Sequence, residues 1–239
     1  MNRVALLFDF DGTLADTLGA GKAALSAAMS EVYDETGPVD DFDFHGRTDP
    51  EIVRGLLRHS GRSDRDIDDG FAALWPAYLR RLASELESLA GRATTLGGVR
   101  RLLARLAGDD RFACGLVTGN LKEGARLKLA AVGCDGHFGF GAYGSDAEAR
   151  DELPPVALSR AAERFGREFR AREAVVIGDT PADIRCARAS GVRVLAVATG
   201  RHSVAELEAH RPDAVLEDLT DADRVVAFFL ESQENPADG

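Results

Sequence analysis

The sequence contains few cysteines and no long apolar run, and each shortage excludes a class of protein. There are only three cysteines, Cys114, Cys134 and Cys186, and no two of them form a C-x-x-C pair. An odd number without paired spacing argues against a disulfide scaffold and against a structural zinc site. No apolar window approaches the length of a membrane span, and two early aspartates interrupt the first apolar run, so no secretory signal is expected. A cytoplasmic protein is therefore expected.

Positive charge is scarce as well. The 239 residues include 40 acidic and 29 basic side chains, which gives a formal net charge of −11, and the sequence has no basic block. Nucleic acid and membrane are not expected as partners, since nucleic acids and anionic membranes attract clustered Lys and Arg. The same charge repels anionic substrates, so a phosphate ester would need a local cation. Hydrophobic residues make up 45% of the chain, enough for a sizeable core in one large or two modest domains.

The chain opens with an apolar run that ends in two aspartates. Residues 4–8 are all apolar and are followed by Asp9, Phe10 and Asp11, which predicts a buried parallel strand. Because side chains alternate along a strand, Asp9 and Asp11 would share one face. At ~4 Å two carboxylates repel by about 4 kcal/mol at an effective dielectric near 20, so the pair calls for a cation, a shared proton or both. A simple turn is the alternative; a Ca²⁺ loop is excluded because its twelfth position is Ala20 and not Glu.

The hydrophobic period changes along the chain in a way that predicts two parts. Residues 15–90 carry three helical apolar patterns and no strand, which predicts an α-helical cap. Residues 91–231 alternate strands with helices, which is typical of a parallel sheet sandwiched by helices. Together with residues 1–14 they form the predicted α/β core, into which the cap is inserted. The polar stretch 232–239 is expected to be a frayed tail.

Polar residues follow three of the predicted strands. These clusters are Asp9 with Asp11, Thr118 with Asn120, and Asp179 with Asp183. If the strands are parallel neighbours, all three clusters meet at one edge of the sheet, where α/β proteins bind their ligands. Mg²⁺ prefers hard oxygen ligands and commonly combines carboxylates with a substrate phosphate. One carboxylate can then attack phosphorus while a second transfers a proton, and Asp9 and Asp11 fit these two roles.

Three motifs, in this order, resemble the haloacid dehalogenase-like hydrolase superfamily. They are Asp9-Phe10-Asp11-Gly12-Thr13-Leu14, Val117-Thr118-Gly119-Asn120 and Gly178-Asp179-Thr180-Pro181-Ala182-Asp183. The inserted helical module resembles the small cap of the phosphoglycolate-phosphatase-like branch. The resemblance implies a Rossmann-like core and a Mg²⁺-dependent phosphatase. Such an enzyme would hydrolyse a small phosphate monoester, phosphoglycolate-like or a sugar phosphate, through an aspartyl-phosphate intermediate.

The resemblance also implies roles for residues of the first two motifs. Asp9 would be the nucleophile, and Asp11 would be the general acid and base. Thr118, Gly119 and Asn120 would bind the phosphoryl group. A helix N-cap for Thr118 and a plain turn at Gly119 are the alternative interpretations.

A metal site is implied in the same way. Mg²⁺ would be held by Asp9, by Asp11 through its backbone carbonyl, and by Asp179. Asp183 would support this site through water or as a neighbour of the ligands. The alternative for Asp183 is a capping or charge-pairing role at the start of a helix.

The chain departs from the family in its lysines. Members normally place a lysine between the second and the last motif to bind the phosphoryl group. The lysines here are Lys22, Lys122 and Lys128, with none later in the chain. We expect an arginine to serve instead, because a guanidinium can chelate phosphate at two points, and Arg150 is favoured over Arg160. A solvated surface position is the alternative for Arg150.

The cap residues Arg47 and Thr48 are expected to face the active site and select the leaving group of a small phosphorylated metabolite. Plain helix capping is the alternative for this segment. Two other functions stay open at this point. A sugar phosphomutase of the same family shares all three motifs, and a non-catalytic phosphate-binding regulatory module would keep the fold. The sequence is compatible with a monomer or a homodimer.

Overall fold

A parallel sheet of six strands lies at the centre of the structure, a computed structural model that describes residues 3–231. The strands in chain order are β1 (Val4–Phe8), β2 (Ala15–Asp16), β3 (Thr94–Thr95), β4 (Phe112–Thr118), β5 (Phe140–Tyr143), β6 (Ala174–Gly178), β7 (Arg193–Val197) and β8 (Ala214–Leu216). The main sheet has the order β5-β4-β1-β6-β7-β8, whereas β2 and β3 form a separate ribbon. The tail predicted at residues 232–239 lies outside the described residues.

Helices cover both faces of the sheet and also form the cap. They are α1 (Ala20–Tyr33), α2 (Asp49–His59), α3 (Asp64–Ser88), α4 (Val99–Ala107), α5 (Lys122–Ala131), α6 (Leu153–Phe165), α7 (Pro181–Ala189), α8 (Val204–Glu208) and α9 (Ala222–Leu230). Single 3₁₀ turns at Arg150–Glu152 and Ala171–Glu173 precede α6 and β6. Within residues 3–231, every helix is too short or too polar to cross a membrane. The predicted α/β core with helices on both faces is confirmed.

Strand β1 lies inside the sheet, between β4 and β6, and has no exposed face. All five of its residues are buried. Leu6 and Phe8 pack in one apolar layer with α4, α5 and α9, and Ala5 and Leu7 pack in the opposite layer with α6, α7 and α8. Burying a side chain such as Leu or Phe contributes about 1.5–3 kcal/mol each. A continuous apolar run, without the alternation of a half-exposed strand, is what this position requires.

The two neighbours of β1 are the other strands that end in polar motifs. In the parallel register Phe8 lies opposite Leu116 of β4 and Ile177 of β6. The backbone N–H of Asp9 continues this ladder and donates to the carbonyl oxygen of Ile177 at 2.8 Å. Because the strands run parallel and in register, their carboxyl ends form one edge of the sheet. The condition that the sequence analysis left open, that the three motif-bearing strands are parallel neighbours, is therefore met.

The cap inserted after β1 consists of α1, α2 and α3, with α1 packed along α3. The chain enters and leaves it through a short antiparallel ribbon, in which Ala15 pairs with Thr95 and Asp16 with Thr94. The prediction of a cap without any strand from residue 15 is therefore wrong at its first two residues. A two-residue strand carries no hydrophobic period, so it forms only because both crossings of the chain lie side by side.

A substitution that shortens one side chain of β1 tests the importance of the packing around this strand. We expect Leu6→Ala to lower the free energy of unfolding by about 2–5 kcal/mol, because it removes buried methyl groups and leaves a cavity. Urea unfolding followed by circular dichroism measures the loss. Leu18→Ala is the matched control, since Leu18 is 52% exposed, and its loss is expected to stay under about 0.5 kcal/mol. Equal losses in the two variants would contradict the assignment of β1 as the core strand.

Candidate active site

Asp9 and Asp11 follow β1 but have different surroundings. Asp9 is buried, whereas the side chain of Asp11 is 47% exposed. Phe10 between them is fully buried in the apolar layer, as the alternation of side chains predicted. The chain then turns sharply at Gly12, whose φ of 81° lies in the left-handed region. One carboxylate is therefore held inside the protein and the other lies at its surface cleft.

Three carboxylates come together at the carboxyl edge of the sheet. Oxygen atoms of Asp9, Asp179 and Asp183 all lie within 4.8 Å of one another, and all three side chains are buried. The hydroxyl of Thr13 donates to Oδ1 of Asp179 at 3.0 Å. Residues that follow β1 and β6, together with one from the first turn of α7, thus form one acidic cluster, although they are far apart in the sequence.

The backbone around Asp179 leaves no room for additional side chains. A Cβ atom at Gly12 or at Gly200 would collide with the carboxylate of Asp179. The hydroxyl of Thr199 donates to the carbonyl oxygen of Gly12 at 2.6 Å, which joins the loop after β7 to the loop after β1. Two glycines are needed here because the backbone approaches the carboxylate from both sides.

Arg150 contributes a positive charge to this cluster. Its Nη2 atom lies 2.9 Å from Oδ1 of Asp9 and 2.5 Å from Oδ1 of Asp183, and the residue is buried. Its Nε atom is buried without a hydrogen-bond partner among the residues that the structure describes. Arg160, the alternative considered from the sequence, pairs instead with Asp146 at 2.6 and 2.7 Å and is partly exposed. The structure therefore places Arg150, and not Arg160, beside Asp9.

The acidic cluster carries more negative charge than Arg150 can offset. Burial raises the pKa of the Asp9 carboxyl, and the charge of Arg150 opposes this shift only in part. Burial also raises the pKa of Asp179, with further contributions from the charges of Asp9 and Asp183. Both pKa shifts have the same physical cause, since burial and neighbouring carboxylates disfavour the ionised form of each carboxyl group. A divalent cation with a preference for oxygen ligands fits this donor set.

Asp183 is held on all sides by the protein. Its Oδ2 atom accepts hydrogen bonds from the backbone N–H and the hydroxyl of Thr180 at 3.0 and 2.7 Å, and its Oδ1 atom accepts from Arg150. Thr180 and Asp183 also form the capping box at the start of α7. These contacts favour the helix-capping interpretation for Asp183, and a supporting position beside a metal ion stays a prediction.

Asp11 belongs to a second polar network that the sequence analysis did not foresee. Lys128 Nζ lies 2.8 and 2.7 Å from the two oxygens of Asp11 and 2.6 Å from Oδ1 of Asn120. The amide nitrogen of Asn120 in turn donates to Oδ2 of Asp11 and to the hydroxyl of Thr118, both at 2.8 Å. Asn120 was predicted to bind phosphate, but its side chain is committed to these three residues.

A sequence signal for Lys128 existed but was overlooked. Along α5 the buried positions are Gly124, Ala125, Lys128 and Leu129, so the lysine occupies the inward stripe of an amphipathic helix. A charged residue at such a position needs a buried partner. The sequence alone did not identify that partner, because Asp11 lies 117 positions away.

The cap touches the core at the second motif. The backbone N–H of Asp49 donates to the carbonyl oxygen of Gly119 at 2.8 Å, and the carboxylate of Asp49 accepts from the N–H of Leu121 at 2.8 Å. A Cβ atom at Gly119 would collide with the carbonyl of Arg47. Gly119 is therefore required where the cap backbone lies against the loop after β4, and the cap is closed over the sheet edge.

Arg47 and Thr48 have partners within the protein. The Thr48 hydroxyl donates to the carbonyl oxygen of Glu148 at 2.7 Å and accepts from the N–H of Glu51 at 3.2 Å, which caps α2. The Arg47 guanidinium pairs with Glu51 and donates to the carbonyl oxygen of Asp43 at 3.0 Å. These contacts favour the capping interpretation for Thr48, and a role in substrate selection stays a prediction for both residues.

The fold and the motifs agree with comparisons to known proteins. A phosphoglycolate phosphatase from Rhodospirillum rubrum is 29% identical over 212 residues, which cover 86% of this chain and 84% of the relative. A putative pyrophosphatase, PpaX, from Caldanaerobacter subterraneus is 26% identical over 92% of both chains. The structure of CbbY from Rhodobacter sphaeroides in complex with phosphate has the same fold, with a TM-score of 0.70 at 18% identity over 92% of this chain and 96% of that one.

The family assignment follows from a match over most of the chain. A family model described as haloacid dehalogenase-like hydrolase matches residues 6–197. This segment includes most of β1, all of β4 and β6, the cap, and the acidic cluster at the edge of the sheet. The chain therefore belongs to the haloacid dehalogenase-like hydrolase family.

Proposed function

We propose that this hydrolase is a Mg²⁺-dependent phosphatase that cleaves a small phosphate monoester through an aspartyl-phosphate intermediate. The observation that carries the proposal is the position of Asp9. Its carboxylate lies at the end of the central strand, within 4.8 Å of two further carboxylates and 2.9 Å from a buried guanidinium. Asp11, two residues later, is accessible for proton transfer. A nucleophile and an acid in such different surroundings fit the two tasks of this reaction.

The reaction consists of two displacements at phosphorus. In the first, a carboxylate oxygen of Asp9 forms a bond to phosphorus, the bond from phosphorus to the ester oxygen breaks, and the carboxyl proton of Asp11 passes to the leaving oxygen. In the second, water attacks the same phosphorus, Asp11 accepts a proton from that water, and the Asp9–phosphorus bond breaks. Inorganic phosphate and the alcohol are the products, and both aspartates regain their starting state.

Mg²⁺ would be held by the carboxylates of Asp9 and Asp179 and by the backbone carbonyl of Asp11, with Asp183 as the supporting neighbour. The bound ion would offset the negative charge of the phosphoryl group as it approaches the aspartates. The support from the structure is the donor set itself, since the side chains of the cluster offer only hard oxygen atoms to a cation.

Arg150 would bind the phosphoryl group in place of the lysine that the family normally uses. Its guanidinium already lies against Oδ1 of Asp9, and its Nε, which has no partner among residues 3–231, is a further donor. The hydroxyl of Thr118 and backbone N–H groups near Gly119 would complete the set of donors around the phosphate. This arrangement would hold the phosphorus near the nucleophile from two sides.

The names of the relatives support the proposed substrate class. They are called a phosphoglycolate phosphatase and a putative pyrophosphatase. We therefore place a small phosphorylated metabolite such as 2-phosphoglycolate first and pyrophosphate second. Release of inorganic phosphate from a panel of metabolite phosphates, each with Mg²⁺ and with a chelator, identifies the substrate.

The nucleophile is tested by Asp9→Asn. Because an amide cannot form the phosphoenzyme, we expect phosphate release from the best substrate of the panel to fall by at least about a thousandfold. Asp110→Asn is the matched control, since this aspartate is exposed and pairs only with Arg3 at the surface among the described contacts, and it is expected to keep the rate of the original protein. Turnover that survives in Asp9→Asn, or that does not depend on Mg²⁺, would overturn the proposed function.

The arginine is tested by Arg150→Met beside Arg160→Met. Loss of a charged phosphate ligand is expected to lower kcat/KM by about a hundredfold, whereas the surface variant is expected to change it less than about twofold. Arg150→Lys keeps the charge and should recover part of the loss. Because Arg150→Met leaves two buried carboxylates unpaired, the free energy of unfolding should also fall by about 3–5 kcal/mol. Equal kinetics in the two methionine variants would rule out a phosphate-binding role.

Metal binding is tested without turnover. Mg²⁺ that binds the folded state only is expected to raise the melting temperature, and above its dissociation constant the stabilisation grows with the logarithm of its concentration. Differential scanning calorimetry, with a chelator as reference, measures this shift. Asp179→Asn removes a proposed ligand and is expected to abolish most of the shift, while Asp110→Asn should retain it. A shift of unchanged size in Asp179→Asn would contradict the assigned metal site.

A further inference from the structure

We propose that Lys128 is a positioning residue that fixes the direction of the Asp11 carboxyl for proton transfer. The inference deepens the phosphatase reaction proposed above and rests on it. Lys128 would act through Asp11 and would not itself contact the substrate. The proposal adds a residue from α5, outside all three motifs, to the acid and base chemistry of the site.

The ammonium group of Lys128 has a full set of partners. An ammonium has three N–H donors, and here they face Oδ1 and Oδ2 of Asp11 at 2.8 and 2.7 Å and Oδ1 of Asn120 at 2.6 Å. Contact with both oxygens fixes the plane of the carboxyl group, which a single hydrogen bond would leave free to rotate. Lys128 itself is buried. Its side chain is therefore held by the surrounding protein and can restrain the more exposed Asp11.

Asn120 supports the same arrangement from the other side. Its amide nitrogen donates to Oδ2 of Asp11 and to the hydroxyl of Thr118, while its amide oxygen accepts from Lys128. Two different residues therefore restrain one carboxyl, and the proposed phosphate donor Thr118 belongs to the same network. Because Asn120 contacts both Asp11 and Thr118, it would fix the proton donor relative to the bound phosphate, and with it the position of the leaving oxygen.

The cap completes the surroundings of Lys128. A Cβ atom at Gly21 of α1 would lie 3.2 Å from the ammonium nitrogen, so the backbone of this helix approaches the charge closely. Phe10 lies on another side, with its ring centre 5.8 Å from the same nitrogen. The ammonium group is thus covered by the cap on one side and by Phe10 on another, and its burial in a lower local dielectric strengthens its attraction to Asp11.

Two other roles for Lys128 are less compatible with this geometry. A lysine that binds a second anionic group of the substrate would have a free donor toward the cleft, whereas these three are all directed at protein oxygens. A purely structural ion pair would be expected between two buried groups, whereas the Asp11 side chain is 47% exposed.

The test compares leaving groups of similar size. Substituted phenyl phosphates, from 4-nitrophenyl to 4-methylphenyl, differ in how much they need a proton on the leaving oxygen. We expect Lys128→Met to lower kcat/KM by about a hundredfold for the poorest leaving group and by less than about threefold for 4-nitrophenyl phosphate, so that the dependence on leaving-group pKa becomes steeper. Lys122→Met, an exposed lysine on the same helix, is the matched control and should keep the original dependence.

A double-mutant comparison shows whether Lys128 acts through Asp11. In an Asp11→Asn background, Lys128→Met is expected to change kcat/KM for 4-methylphenyl phosphate by less than about twofold, compared with about a hundredfold when Asp11 is present, because the group that it positions no longer transfers protons. Circular dichroism and the Mg²⁺-induced shift in melting temperature verify that each variant is folded. A large additional loss in the double variant, or an unchanged leaving-group dependence in Lys128→Met, would overturn the inference. If the original protein releases no phosphate at all, the proposed function fails instead.

Discussion

Repulsion among buried carboxylates is the constraint on which the rest of the site depends. Parallel pairing of β1 with β6 brings Asp9 and Asp179 to the same sheet edge, and burial removes the water that would otherwise screen their charges. One guanidinium, from Arg150, offsets part of this charge. The remaining negative charge would favour a divalent cation at this site, and such an ion would in turn favour a phosphate. Glycines around Asp179 leave the backbone as its only close neighbour on two sides.

Environment, more than residue type, separates the two aspartates of the first motif. Asp9 is buried and lies against an arginine. Its carboxylate is therefore held in one position, as an attacking group requires. Asp11 is half exposed and is held by a lysine and an asparagine, so it can meet water and a leaving group without losing its direction. Two identical side chains, two positions apart, thereby fit two different chemical tasks.

The contact between cap and core involves the residues that would bind phosphate. Asp49 of the cap bonds to the backbone of Gly119 and Leu121, and α1 approaches Lys128 at Gly21. Movement of the cap would therefore disturb the loop after β4 and the surroundings of Lys128 at the same time. A closed cap excludes water from the reacting groups, and here it also completes the electrostatic surroundings of the proposed acid.

The sequence by itself predicted the strands, and it predicted that their ends meet if the strands are neighbours. Apolar runs that stop at polar residues predict parallel strands, and neighbouring parallel strands bring the segments with Asp9, Asp179 and Asp183 to one edge. It also pointed to Arg150, through the missing lysine. Only the tertiary structure decided that Arg150 contacts Asp9, that Asn120 bonds to Asp11, and that Lys128 faces the site. These contacts depend on how α5, α6 and the cap pack and rotate against the sheet, and such packing is fixed by the summed shape of many side chains and leaves no local pattern in the sequence.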